Sequence, residues 1–225
     1  MITLALSAPA DRSRAVSAVL QGVNVSQVPQ RSPFRYPGGK TWLIPCVRRW
    51  LQSQEKKPRL LIEPFAGGAV TSLTAVAEDL VSCACFAELD ADVAAVWTCA
   101  LSSENAKLRR RLMDFKVTRA AVRALLASIH GSRSVTEHAL SVLLQNRMNH
   151  GGILAPGAGL LRKGEAGRGL RSRWYPQTLA ARLKAIHELK DRLCFSCTDA
   201  FDLLEKHKEQ KTTEAFVYPP DVVND

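Results

Sequence analysis

Apolar residues recur along this chain with two different periods, and the changes of period mark its elements. Across residues 41–54, Leu43, Val47, Trp50 and Leu51 fall at helical spacing, with Arg48, Arg49 and Gln52 elsewhere around the helix. Pro58 ends that run. Residues 59–63 form a short apolar segment closed by Glu63, which predicts a buried strand. The turn at 64–69 and a helix through Ala77 follow, then a second strand over 81–87 ending at Glu88, Leu89 and Asp90, and a helix over 91–101. Residues 104–130 read as helical and basic. A glycine- and arginine-rich stretch runs from Gln145 to Trp174 and Tyr175. Leu179, Leu183, Ile186 and Leu189 place an amphipathic helix over 178–190. Residues 194–197 predict a strand, Thr198 and Asp199 cap a helix reaching about His207, and residues 215–218 predict the last strand. The first thirty residues show no sustained period and read as a mobile extension or a loosely packed first helix.

Strand, glycine turn, helix, and a strand with a terminal acid is the opening of a doubly wound α/β sheet. A chain of 225 residues has room for one domain, or one with a small insert. With 46% hydrophobic and 23% charged residues, wholesale disorder, a collagen-like repeat and a disulfide-stapled scaffold are excluded. No apolar run is long enough to predict a membrane span. Asp11, Arg12 and Arg14 interrupt the apolar start too early for a secretory signal, so a cytoplasmic location is expected. The six cysteines are expected to be buried free thiols, with Cys83 and Cys85 on opposite sides of their strand. Cys194 and Cys197 lack the second ligand pair of a zinc site, and no metal is expected.

Net charge changes the picture more. A formal charge of +10 suits a chain that meets a polyanion, the alternative being solubility alone. Small residues after the first strand let backbone approach a ligand, with free N–H groups on the helix behind. Glu88 follows Gly67 by about twenty positions, where an acid at the second strand tip can hold ribose hydroxyls. Glu63 at the first strand tip would repel a pyrophosphate and suits a cationic ligand such as S-adenosylmethionine. A purely structural turn with a solvated Glu63 is the competing reading.

These residues also carry a resemblance. The segment Phe34, Arg35, Tyr36, Pro37, Gly38, Gly39, Lys40 resembles the N-terminal cofactor motif of the Dam-like class of DNA adenine-N6 methyltransferases. Residues 63–69 resemble their glycine-rich cofactor loop, and residues 88–97 are similar to the segment after their second strand. Asn146 and Arg147 with the glycine-rich stretch resemble the DNA-contacting insert. Residues 174–179 resemble the return to the core, and Thr198, Asp199 and Ala200 the acid-bearing turn at the cofactor adenine. The match runs in the family's order from about residue 31 onward.

The resemblance implies a Rossmann-like methyltransferase core with a helical, basic DNA-recognition insert, S-adenosyl-L-methionine as donor and double-stranded DNA as substrate, as in restriction-modification. It implies a cofactor set of Tyr36, Lys40, Glu63, Phe65, Gly67, Gly68, Glu88, Asp199 and Tyr218. It implies DNA contacts from Asn146, Arg147, Arg162, Lys163, Arg168, Arg171 and Arg173. The chain would divide into an extension (1–30), a cofactor-binding part (31–103), the insert (104–177) and the return to the core (178–225).

The family's catalytic pattern is Asp-Pro-Pro-Tyr, whereas Tyr218, Pro219, Pro220 and Asp221 exchange acid and aromatic. A phenol is a weaker acceptor than a carboxylate, and an aspartate has no face on which a flipped base can stack. Losing one placed catalytic hydrogen bond costs about 100-fold or more in rate, so impaired turnover is expected. Family members continue with further strands, so the last strand here is expected to be an open edge, available to a partner or to self-association.

Overall fold

A computed structural model of the chain describes residues 27–35, 40–127, 134–154, 158–160, 169–210 and 212–218. It divides into two compact units. The first holds the described residues within 27–31, 40–89 and 192–218, and the second those within 32–35 and 90–191.

The first unit is built on a parallel sheet. A short 3-10 turn, Lys40–Leu43, leads into α1 (Ile44–Gln52). Strand β1 (Leu60–Glu63) is buried at all four residues, as a strand covered on both faces must be. Helix α2 (Val70–Ala77) follows, and then β2 (Cys83–Ala87). The chain returns to this unit with β3 (Leu193–Ser196), α8 (Ala200–His207) and β4 (Thr213–Ala215). The order across the sheet is β3-β2-β1-β4, every pair parallel. Chain order therefore reverses beside β1: β2 and β3 extend one way, while β4 joins from the other. In open α/β sheets the crevice beyond the carboxyl ends of the strands at such a reversal is where ligands bind.

The second unit is helical. Helix α3 (Ala91–Leu101) packs on α6 (Val135–Met148), and α4 (Asn105–Asp114) packs on α7 (Pro176–Glu188). Helix α5 (Arg119–Ala127) lies against α6. Trp97, Leu108, Leu112, Leu140, Leu143 and Leu179 fill the centre. Asp90 caps α3 by accepting from the Asp92 amide at 2.8 Å. Asn105 holds α4 to its neighbours through Nδ2, which donates to the carbonyls of Ala100 and Leu183. Among the described residues there are eight α-helices, and none is long and apolar enough to cross a membrane.

Several expectations shift. The helical stretch over 104–130 breaks at 115–118, because Phe115 turns extended and packs with Val117 on the cluster of Val122, Leu144, Met148 and Leu170. Helix α6 has no counterpart in the sequence pattern: ten of its fourteen residues are buried, so it shows no apolar stripe. Strand β4 covers 213–215 rather than 215–218, although the Phe216 amide still donates to the Ile62 carbonyl at 2.8 Å. It is the edge of the described sheet, as expected for the last strand. The helical unit takes in residues 90–103 and 178–191, assigned from sequence to the core, because α3 and α7 pack on α6 and α4.

Cys83 and Cys85 share a face, since side chains two apart on a strand point the same way; both lie in one cluster with Leu60, Ile62, Ala87 and Leu203. Cys194 and Cys197 are exposed rather than buried. The proposed extension over 1–30 lies outside the described residues up to residue 26.

Candidate functional site

The strand tips at the chain reversal carry charges that ordinary packing would exclude. Glu63, the last residue of β1, is fully buried. One of its oxygens serves the fold. The Ser72 amide, in the first turn of α2, donates to Oε2 at 2.8 Å, so a carboxylate from the strand caps the helix. The other oxygen, Oε1, is buried and has no hydrogen-bond partner. Burial pushes the Glu63 carboxyl above the usual range, opposed first by the charge of Lys40 and then by the Ser72 and Thr71 groups. Neither of those hydroxyls completes a hydrogen bond of ordinary geometry.

Lys40 is the complementary charge. Its Nζ donates to the Phe65 carbonyl at 2.6 Å and lies 5.3 Å from the centre of the Tyr218 ring, within cation–π range. Burial lowers the Lys40 pKa, while Glu63 and Glu88 hold it up. An ammonium beside a carboxylate oxygen that accepts nothing can receive both ends of an amino-acid group: the lysine its carboxylate, Glu63 its ammonium.

The glycine turn sits beside this pair. Gly67 adopts φ 50°, a conformation that favours glycine, and its amide donates to Glu88 Oε2 at 3.0 Å. Glu88 Oε1 accepts from the Leu89 amide at 2.9 Å. Two backbone amides thus fix this carboxylate at the tip of β2, one on each oxygen. Gly68 is buried, and Ala69 takes a left-handed conformation, φ 47°, immediately before α2. Asp199 caps α8 by accepting from the Phe201 amide at 2.8 Å, the structural role expected of it. Phe65 and Phe201 meet edge to face, ring centres 6.4 Å apart, with Phe201 70% exposed. Phe201 is a candidate that the sequence pattern hides: a phenylalanine at helix spacing reads as core, and only its exposure beside Phe65 sets it apart.

Of the cofactor set, Lys40, Glu63, Phe65, Gly67, Gly68, Glu88, Asp199 and Tyr218 thus all stand on the first unit, around its strand tips and loops. Tyr36 lies outside the described residues, as do Pro219, Pro220 and Asp221 of the catalytic motif and Arg162, Lys163 and Arg168 of the DNA set.

The rest of the DNA set divides. Asn146 and Arg147 are buried, 1% and 6% exposed, and hold segment 32–35 in place. Asn146 accepts from the Arg35 amide through Oδ1 and donates through Nδ2 to the carbonyls of Arg35 and Gly152; an Arg147 amino group donates to the Pro33 carbonyl at 2.7 Å. Burial lowers the Arg147 pKa to about 10, helped by the charges of Arg182 and Arg35. Their place is inside the helical unit, supporting backbone, and the expectation of a direct DNA contact yields to that. Arg171, in contrast, is exposed and lines a cleft of about 420 Å³ with Lys116, Val117, Thr118 and Trp174. Arg119 and Arg171 line a second one of about 300 Å³. Arg173 is half-buried on the same turn. Charge counting could not separate Arg171 from Arg111, which is held bidentately by Glu137 at 2.6 and 2.9 Å.

No protein-family model matches this chain, and no curated protein matches it either.

Proposed function

We propose that this chain binds S-adenosyl-L-methionine at the β1/β4 strand tips and belongs to the DNA adenine-N6 methyltransferases that its motifs resemble. The observation that carries the reading is the Glu63–Lys40 pair, in which a fully buried carboxylate keeps one oxygen without a partner within electrostatic range of a half-buried ammonium. A group that is both zwitterionic and sulfonium-bearing fits those charges, whereas a pyrophosphate does not. Glu88 at the tip of β2 suits ribose hydroxyls, and the Phe65–Phe201 pair suits an adenine ring.

The bound donor would supply an electrophilic methyl group on sulfur. The protein has to orient it and to accept the proton that the adenine amino group loses when its nitrogen takes the methyl. At that point the chain offers the Tyr218 phenol in place of a carboxylate, with its ring already engaged by Lys40. This favours a second reading, a catalytically impaired relic that still binds donor, DNA or both. The cleft lined by Lys116, Thr118, Arg171 and Trp174 is suited to duplex phosphates, with an indole in its wall.

Calorimetry tests the first claim: donor and its demethylated product bind folded protein, and absence of either heat would overturn the reading. Tritiated methyl transfer to unmethylated DNA separates enzyme from relic. The double substitution Tyr218→Asp, Asp221→Tyr is expected to raise transfer about 100-fold if the exchanged motif limits it. Replacing Lys116, Arg119 and Arg171 together by Ala should reduce the slope of log affinity against log salt by about 0.9 for each lost phosphate contact.

A further inference from the structure

We propose that Cys85 and Cys194 form a reversible disulfide that clamps β2 to β3, a modification site independent of the strand-tip ligand site. The two residues are register partners on adjacent parallel strands. Neighbouring strands run about 4.7–4.9 Å apart, inside the roughly 4.4–6.8 Å that Cα atoms span in disulfides, so closure asks for side-chain rotation and little backbone movement. The environments of the two thiols differ in the way a two-step exchange requires. Cys194 is exposed and accessible to a soluble oxidant, whereas Cys85 is buried in the cluster beneath α8.

The other thiols of the sheet are less well placed. Cys83 sits opposite Leu60 and its Sγ donates to the Arg59 carbonyl at 3.1 Å, while the β2–β3 pairing starts one residue later, at Ala84. Cys197 lies past the end of β3.

The oxidant is a low-molecular-weight disulfide of the glutathione type. The Cys194 thiolate attacks one of its sulfurs, forming a mixed disulfide and releasing one thiolate. Cys85, deprotonated, then attacks the Cys194 sulfur, forming the strand-to-strand bond and releasing the second thiolate. The two released thiolates take up the two protons that the cysteines gave up, so two protein thiols and one small disulfide become one protein disulfide and two small thiols. Burial first, then the neighbouring Cys194, pushes the Cys85 thiol up to about 12, with Lys206 acting the other way. Capping Cys194 removes its charge, so the first step makes the second easier.

Incubating the full chain with oxidised glutathione, alkylating the remaining thiols and mapping peptides under non-reducing conditions tests this. The expected product joins the Cys85 and Cys194 peptides, disappears on reduction, persists in Cys197→Ser and is absent in Cys194→Ser. The closed form is expected to melt above the reduced form, because the bond constrains a long loop of the unfolded chain. Formation should quicken as pH rises, since thiolate is the attacking species. A stable mixed disulfide at Cys194 that never resolves, or a Cys194–Cys197 bond in its place, would overturn the proposal. Because Cys194 is exposed, the Cys194→Ser variant folds, and its melting curve under reducing conditions checks that directly.

Discussion

Both units of this protein bury strongly polar side chains, but they do so to opposite ends. In the helical unit, Asn146 satisfies three backbone groups with its own three contacts, which engage both amide hydrogens and the oxygen. In the sheet unit, Glu63 is as deeply buried but accepts on one oxygen alone. The comparison separates architecture from readiness to bind. A buried polar group that closes its own hydrogen bonds specifies backbone, whereas one left half-satisfied carries a cost that a ligand can relieve. The resemblance attaches a DNA role to Asn146 and a cofactor role to Glu63, and their hydrogen-bond partners set the two residues apart.

The largest expected break of this comparison is Asn146→Ala. It strands the Arg35 amide and two carbonyls, and should cost about 3 kcal/mol of stability in denaturant unfolding. Gly152 reinforces the same point, since it sits at φ +80° with the Arg35 carbonyl 2.9 Å from where a Cβ would stand. Next is Glu63→Gln, expected to weaken donor binding by about tenfold or more in calorimetry, from the loss of a charged hydrogen bond. Its melting temperature should hold or rise, because a buried charge has been removed. Were Glu63 only a helix cap, stability would fall and donor affinity would not change.

The pH dependence sharpens the contrast. The folded state holds the Glu63 proton more tightly than the unfolded chain, so stability of the ligand-free protein declines as pH rises from 4.5 through the raised value. Donor affinity moves the other way across that window, because a cation selects the carboxylate, and both trends should vanish in Glu63→Gln. Glu78 is an internal control of opposite sign: its hydrogen bonds from Arg48 lower its pKa, so its contribution is lost as pH falls below 4.5. Smallest is Ala69→Gly, which relieves a left-handed alanine and should add about 1 kcal/mol of stability.

The sequence was legible wherever local physics decides. The apolar run ending in Glu63, the turn with Gly67, the strand ending before Glu88 and the Asp199 cap all stand where pattern and capping chemistry placed them. It was opaque where tertiary packing decides. Helix α6 is buried nearly all round and so has no stripe to read. Lys116 and Arg171 are far apart in sequence and become neighbours through a break that Phe115 and Val117 make by packing inward. Arg147 reads as a surface cation because its carbonyl partner, Pro33, is more than a hundred positions away.

The divided carboxylate of Glu63 gives the molecule a built-in reporter. The oxygen that anchors the first turn of α2 and the oxygen left without a partner belong to one resonance-coupled group. Drawing electron density toward a cation on one side weakens acceptance on the other. Occupancy of the crevice should therefore register as faster amide exchange at Ser72, a signal from helix backbone about a molecule that never touches it.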